Sequence, residues 1–273
     1  MNKIDITPHL EAKIQDELQI VVIDNFYDAA IAGDACPWLG KLFRFKVNSY
    51  LASYPYGMLP FGAADLVGTH WFLCRKTRGT RVDDLEPIMG IKMIDSGRTK
   101  TFRIPFPAFG YVSDPELEAH RHAIEHELER AHKEGHALGY VGSWAIDAKV
   151  RNDEVLSKIC KKMTSSFISQ WICTFNIQSM VSFANLRFHV EKFHTYLGLV
   201  RLVDRCGDHL TDFKMNVAFD QPYRATVFYR KNHTKEALQD MYDMQNSALW
   251  ESRIIIASEQ SPLYVKESSE RAA

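Results

Sequence analysis

The chain has 273 residues, of which 46% are hydrophobic and 25% charged, and its formal net charge is -1. A chain of this length and apolar content buries a sizeable core, which excludes disorder, and the near-zero charge gives no long-range field to draw nucleic acid or an anionic membrane. The five cysteines, Cys36, Cys74, Cys160, Cys173 and Cys206, are odd in number, widely spaced and never in a Cys-x-x-Cys pair, as expected of reduced thiols in a cytoplasmic protein.

The opening stretch, MNKIDITPHLEAKIQDEL, is polar and unlike a signal peptide, and no later apolar run approaches the ~20 residues that cross a bilayer, so neither export nor a membrane span is expected. Leu18 to Asp24 is a β-branched run bounded by Asn25 and reads as a strand. From Trp38 to Tyr54 the period changes: Leu39, Phe43, Val47, Tyr50 and Tyr54 recur at helical spacing, and Pro55 with Gly57 ends the helix. Thr69 to Arg75 and Pro87 to Asp95 are strands expected to pair antiparallel across a charged connection that contains Gly79, Asp83 and Asp84. Phe102 to Val112 holds four aromatic residues among Pro105, Pro107 and Gly110, which predicts an apolar loop. A helix over Asp114 to Glu134 is announced by Ser113-Asp114-Pro115-Glu116 and ends near Gly135.

Tyr140 to Asp147 reads as a strand, Ala148 to Asp153 as a turn, and Glu154 to Phe167 as a helix with Leu156, Ile159, Met163 and Phe167 on one face. Trp171 to Ile177 reads as a strand. In the helix that follows, Asn185 serves as the start and Gly198 as the stop, with Leu186, Val190 and Phe193 on the apolar face. Leu199 to Val203, Asp212 to Phe219 and Ala225 to Arg230 are the last expected strands, Thr234 to Trp250 a last helix, and the polar tail after Leu263 is expected to fray. No repeat, low-complexity tract or linker interrupts this series. A single domain over 1–273 is expected, with its core at about 18–230 and a C-terminal helix at about 234–250.

Three stretches, taken with the element order, carry a resemblance to a known family. ADLVGTHWFLCRKTRG with EPIMGIKMI presents an acidic residue, a His-led strand, a charged turn and a strand with a central Gly. GSWAIDAKVRNDEVLSKI is similar to a central strand, a turn with an Arg and a helix, and ANLRFHVEKFHTYLGLVRL has an Asn, aromatic residues and a Leu-Gly-hydrophobic ending. Together they resemble the GNAT superfamily of N-acyltransferases, nearest the branch of autoinducer synthases and N-acyl amino acid synthases. The resemblance implies an α/β (α+β) fold: a mixed, mostly antiparallel sheet with a splayed central strand pair and flanking helices. It also implies transfer of an acyl group from a thioester, acyl-CoA or an acylated carrier protein, to a small amine or amino acid. A GNAT-like module that binds a ligand without catalysis is the alternative.

By this resemblance the backbone from Ser143 to Asp147, hence Ser143, Trp144, Ala145 and Ile146, would hold the pantetheine arm. The turn that usually cradles a pyrophosphate is here Lys149-Val150-Arg151-Asn152-Asp153-Glu154, which has no Gly and two acids. Lys149 and Arg151 are the residues that would compensate, and Asn152 and Asn185 are further donor-binding candidates implied by the resemblance. An ordinary capped helix start with no ligand explains the turn equally well. The leaving-group acid in the family is commonly a Tyr before the helix-ending Gly; here the matching position holds His194, with Tyr196 two residues on, and either is alternatively a packing residue. Asp147 and His70 are candidates for the base, and Asp147 is equally suited to capping the turn. Trp144 stands where the autoinducer synthases place an Arg. The aromatic loop from Phe102 to Tyr111 suits either an acyl pocket or the core.

One motif points elsewhere. His122-Ala-Ile-Glu125-His126 spells a helical zinc-peptidase pattern. At ~100° per residue, however, Leu117, Ile124, Leu128 and Ala131 take the buried stripe and the two histidines face the other side. No metal is expected.

Overall fold

The structure is a computed structural model that describes residues 17–31, 36–51, 61–77, 84–215 and 219–264. Leu18–Asp24 forms β1, buried along its whole length. The short helix α1, Phe26–Ile31, and the longer α2, Cys36–Leu51, follow. Tyr54, Pro55, Gly57, Gly79, Asp83, the polar stretch before Glu17 and the tail beyond Tyr264 lie outside the described residues. After α3, Ala63–Val67, the strands β2, Thr69–Lys76, and β3, Leu85–Asp95, pair antiparallel as the sequence predicts. Helix α4 spans Ser96–Thr101. The aromatic loop contains only a 3-10 turn, Pro107–Tyr111, and Asp114 caps a second one, Pro115–Leu117, that leads into α5, Glu118–Lys133.

Strand β4, Leu138–Ile146, runs into the one-turn helix α6, Ala148–Arg151, and then into α7, Glu154–Thr174. Here the structure corrects the expectation of a strand over Trp171 to Ile177. Phe167, Ile168, Trp171 and Ile172 are all buried, and their one-, three- and four-residue spacing continues one helical face through four further residues. The strand β5 starts later, at Ser179–Asn185. Asn185 caps a 3-10 turn, Leu186–Phe188, rather than the helix itself; the left-handed His189, φ 55°, separates that turn from α8, Val190–Leu197. Gly198 ends α8 with φ 97°, and a side chain there would also meet the backbone carbonyl of Asn232, so only glycine fits. Of the last expected strands, β6 is only Val200–Arg201, while β7, Phe213–Met215, and β8, Phe219–Tyr229, form a hairpin. The last helix is broken into α9, Lys235–Gln245, and α10, Ala248–Glu251, and the strand β9, Ile254–Ala257, was not expected. It pairs parallel with β1.

These strands form one mixed sheet in the order β6-β8-β5-β4-β3-β2-β1-β9, with β7 on β8. Its pairs are antiparallel except β1–β9 and β4–β5, which gives the mixed, mostly antiparallel sheet that the resemblance implies. On one face Trp71, Met89 and Ile91 pack against Phe167, Trp171 and Trp250 of the later helices. The opposite face is covered by α2, through Trp38, Leu42 and Phe45, and by α5, through Ala123, Ile124 and Ala131. Truncating a fully buried aromatic such as Phe167 costs about 3–5 kcal/mol, so the helical layers hold the sheet rigid behind the site.

Candidate active site

The parallel pair at the centre of the sheet holds together for three residues only, Leu138 with Ser179, Gly139 with Met180 and Tyr140 with Val181. Beyond it, Ser182 on β5 donates from its hydroxyl to the Val141 carbonyl at 2.8 Å, and past that contact the strands part. On its other edge β4 remains paired with β3, but Gly90 faces Ala145 while Lys92 faces Gly142, so β4 fits three steps against two. The extra residue is a bulge, with Ser143 at φ 55°, and a bulge bends its strand away from a neighbour. Gly142 allows the bend, because a side chain there would run into the ring of Tyr140.

A cavity of about 720 Å³ fills the opening. Its lining includes β4 from Tyr140 to Ile146, Ser182, Phe183 and Asn185 of β5, and Val190, Phe193 and His194 of α8. Ile104, Pro105, Pro107 and Tyr111 of the aromatic loop line it as well, and Tyr111 stacks on Phe183 at 4.5 Å, so this loop closes the apolar end. Trp144 and Phe193 stack at 4.9 Å and join β4 to α8 on the other face of the sheet. The Trp144 indole N–H is buried with no partner among the described residues.

His194 is wired more tightly than its sequence position suggests. Thr226, the cross-strand partner of Ser182, donates its hydroxyl proton to the Ser182 carbonyl at 3.1 Å, and its oxygen lies 2.8 Å from His194 Nδ1. With the Thr226 proton committed, Nδ1 carries the histidine proton; the tautomer is assigned from this network. Nε2 is then the bare nitrogen. It lies 3.5 Å from the Ser182 hydroxyl, whose proton is already given to Val141, so its lone pair is unused at the point where the strands part. Burial pushes the imidazole down to about 3, and it is neutral at pH 7.

On the far side of β4 an ionic cluster forms the second wall. Asp65, the acidic residue of the first matched stretch, sits in the first turn of α3, where its Oδ2 accepts from Gly62 N at 2.9 Å. Its Oδ1 accepts from Lys46 Nζ and lies 3.1 Å from Lys92 Nζ. All three side chains are buried. Burial alone would raise the Asp65 carboxyl, but the two ammonium groups outweigh it and hold it at about 2. Lys46 is driven down to about 7 by burial first and by Lys92 second. Asp65 and Lys92 line the cavity.

The structure brings Ser143, Trp144, Ala145, Ile146, Arg151, Asn185 and His194 to this cavity and leaves His70, Asp147, Lys149, Asn152 and Tyr196 outside its lining. His70 is fully buried, stacks on Phe72 and donates from Nε2 to the Asp65 carbonyl at 2.8 Å, so it supports the ionic cluster from behind. Asp147 caps α6 by accepting from Lys149 N at 2.8 Å. Tyr196 donates to Asp240 Oδ2 at 2.8 Å, away from the opening. Arg151 is turned back toward the sheet, donating to the Ile146 carbonyl at 2.8 Å and the Ser49 carbonyl at 2.9 Å, and Asp153 caps α7 through Leu156 N. Asn185 has its amide on Gln221 and Tyr223 and its carbonyl on Arg187 N. Ser182, Thr226, Lys46 and Lys92 do not stand out in the sequence as site residues; their one signal is a hydroxyl or a lysine inside an otherwise apolar strand or helix face.

On α5 the histidines of the zinc-like motif, His122 and His126, are exposed, and His122 lies 3.7 Å from Glu118. Among the described residues no group of three or more His, Cys, Asp or Glu stands close enough to share a metal ion. No helix among them is long and apolar enough to cross a membrane.

No family model matches the chain, and no curated protein does. Among solved structures, it is similar to BjaI, a CoA-dependent acyl-homoserine lactone synthase, at 10% identity and TM-score 0.49 over 88% of this chain and 93% of that one. FeeM, an N-acyl amino acid synthase from uncultured soil microbes, is 16% identical at TM-score 0.47 over 76% of this chain and 93% of its own. Escherichia coli ElaA is 10% identical at TM-score 0.43 over 77% and 97%.

Proposed function

We propose that this protein is an N-acyltransferase that moves an acyl group from a thioester donor to a small amine. The observation that carries the reading is the unpaired edge of β4 facing a bare histidine nitrogen across a cavity. Backbone groups from Gly142 to Ile146 suit the amides of a pantetheine arm, and a fixed N–H beside the thioester carbonyl stabilises the oxyanion without reorganisation. The amine nitrogen attacks the carbonyl carbon, the C–N bond forms and the C–S bond breaks. The proton leaving the amine goes to His194 Nε2, which returns it to the departing thiolate. Ile104, Pro105, Tyr111 and Phe183 offer an apolar wall to the acyl chain.

The donor's phosphate is a separate question. With Arg151 turned to backbone carbonyls and Asp153 capping α7, the turn is a poor pyrophosphate cradle, whereas Ser157 and Lys161, one helical turn apart on α7, line the cavity mouth. Both coenzyme A and a carrier-borne phosphopantetheine remain donors of the right chemistry. One observation favours the second reading, a non-catalytic binding module: the Trp144–Phe193 stack joins the two walls where a pantetheine arm would enter. Thermal unfolding with coenzyme A, short and long acyl-CoA and an acylated carrier protein separates the readings, because a ligand of the folded state raises the melting temperature by mass action. The transferase reading expects a shift that depends on acyl length and release of free thiol when amines are added. A shift without thiol release supports the module, and no shift at millimolar donor overturns both.

A further inference from the structure

A second cavity, of about 340 Å³, lies where the ends of β1 and β3 meet α1, α4 and the segment after β9, and it shares no lining residue with the cavity at β4. Its charge is one-sided. Asp24, Asp28 and Asp95 line it against a single cation, Arg98. The Arg98 guanidinium is already committed, because it donates to both oxygens of Asp24, to the Thr69 hydroxyl and to the Val67 carbonyl. Asp24 is 1% exposed and also accepts from the hydroxyls of Thr69 and Ser261, each at 2.6 Å, so it is satisfied within the fold. Asp28 and Asp95 are not. Among the described residues neither has an ionic partner; Asp28 accepts from Asn25 Nδ2 at 2.6 Å and Asp95 from Arg98 N at 2.9 Å, which leaves one oxygen of each carboxylate unused.

Asn25 supplies an independent sign of a ligand. It lines the cavity, is 6% exposed and holds a left-handed backbone at φ 60°. Its amide nitrogen is fixed on Asp28, which sets the orientation of the amide, and the amide oxygen is then buried with no hydrogen-bond partner among the described residues. A buried acceptor without a donor costs free energy, and a ligand that brings the donor removes that cost. Phe102, in edge contact with Tyr27 at 5.9 Å, adds an aromatic ring to the lining, and such a ring also attracts cations. A single metal ion does not answer this need, since among the described residues no three His, Cys, Asp or Glu side chains stand close enough to share one. A molecule whose nitrogens are several bonds apart spans acceptors that a point charge cannot.

We propose that this second cavity binds a small organic cation with several N–H donors, an alkyl diamine or an alkyl guanidine, through Asp28, Asp95 and the Asn25 amide oxygen. The inference is independent of the transferase reading, because the two cavities are lined by different residues. The site joins the end of the first strand to the C-terminal segment, where Ser258, Gln260 and Ser261 complete the wall.

The test is calorimetric titration of wild-type protein by 1,4-diaminobutane, 1,5-diaminopentane and agmatine, with butylamine, magnesium and calcium as comparators. At least one of the first three should bind about tenfold more tightly than butylamine, the usual worth of one further charge-assisted hydrogen bond. Asp28→Asn and Asp95→Asn remove the charge and keep an amide oxygen for the existing hydrogen bonds; each should weaken binding by about tenfold as well. Glu125→Gln, on the exposed face of α5, removes a charge elsewhere and should change nothing. A wild-type crystal soaked with the tightest probe needs no substitution, and its nitrogens should lie within hydrogen-bond reach of Asp28 and Asp95. Binding of no probe at millimolar concentration, equal binding of butylamine, an equal loss in Glu125→Gln, a probe seated elsewhere, or tighter binding of magnesium or calcium at the same carboxylates overturns the proposal.

Discussion

The two edges of β4 face different worlds. Toward β3 the strand is paired from end to end, interrupted by one bulge, with a lysine and a carboxylate buried behind it. Toward β5 it is paired for three residues and then opens on a cavity, with a histidine held by the Thr226 hydroxyl. The closed edge provides rigidity and charge, and the open edge provides unpaired backbone and a neutral histidine. An unpaired strand edge is normally a liability that proteins cover. Here it is enclosed by α8, α7 and the aromatic loop, whose residues line the cavity beside it.

The contrast between the edges breaks most sharply at His194. His194→Ala should reduce turnover of acyl thioester with amine by about 10²- to 10⁴-fold, the usual worth of a positioned proton carrier, while the dissociation constant of the donor changes little. Steady-state kinetics beside donor titration read the two separately, and a parallel loss of both would make His194 a packing residue of the open edge. Thr226→Val removes the acceptor that fixes Nδ1–H and lets the other tautomer form; turnover should fall by about tenfold, with the melting temperature lowered by the loss of one buried hydrogen bond worth roughly 1 kcal/mol. Unchanged turnover would contradict the tautomer assignment.

Trp144→Ala addresses the mouth of the opening. If the Trp144–Phe193 stack stands aside for the donor, its removal should raise donor affinity several-fold and leave the acyl-length preference intact, as measured by titration with an acyl-CoA ladder. An unchanged affinity would mean that the donor never meets this pair. Stability also depends on pH. His70 and His194 are both pushed by burial to about 3 in the folded protein, against roughly 6.5 unfolded. Between these values the unfolded chain binds more protons, so their contribution is complete above about pH 6.5 and falls as the pH falls, by at most about 1.4 kcal/mol per unit for each histidine. Melting temperatures from pH 7 to 4 should show this decline, and His194→Gln should flatten it.

Much of the frame was legible in the chain. The hydrophobic alternation and β-branching of LQIVVID, THWFLCR and PIMGIKMID mark β1, β2 and β3, and Ser113-Asp114-Pro115 announces the start that Asp114 makes before α5. What was missed was missed for physical reasons. Trp171 to Ile177 carries β-branched and aromatic residues, but helical packing against the sheet overrode that local preference. The strand β9 is four residues long and gains its identity only from pairing with β1, more than two hundred residues away. At the site, His194 lines the cavity, whereas the partners that set its tautomer, Ser182 and Thr226, meet it only across strands. The Lys92–Asp65–Lys46 cluster joins a strand and two helices, and no spacing along the chain announces it.

The transferase reading depends on the open edge of β4 receiving an acyl thioester. The decisive experiment is a crystal structure with a thioether analogue of acyl-CoA, in which a methylene replaces the reactive linkage. The pantetheine arm should lie along Gly142 to Ile146, with the carbonyl position within hydrogen-bond reach of the strand and His194 Nε2 facing the acceptor side. An analogue seated elsewhere on the protein, with the opening still bridged by Trp144 and Phe193, would refute that role for the edge.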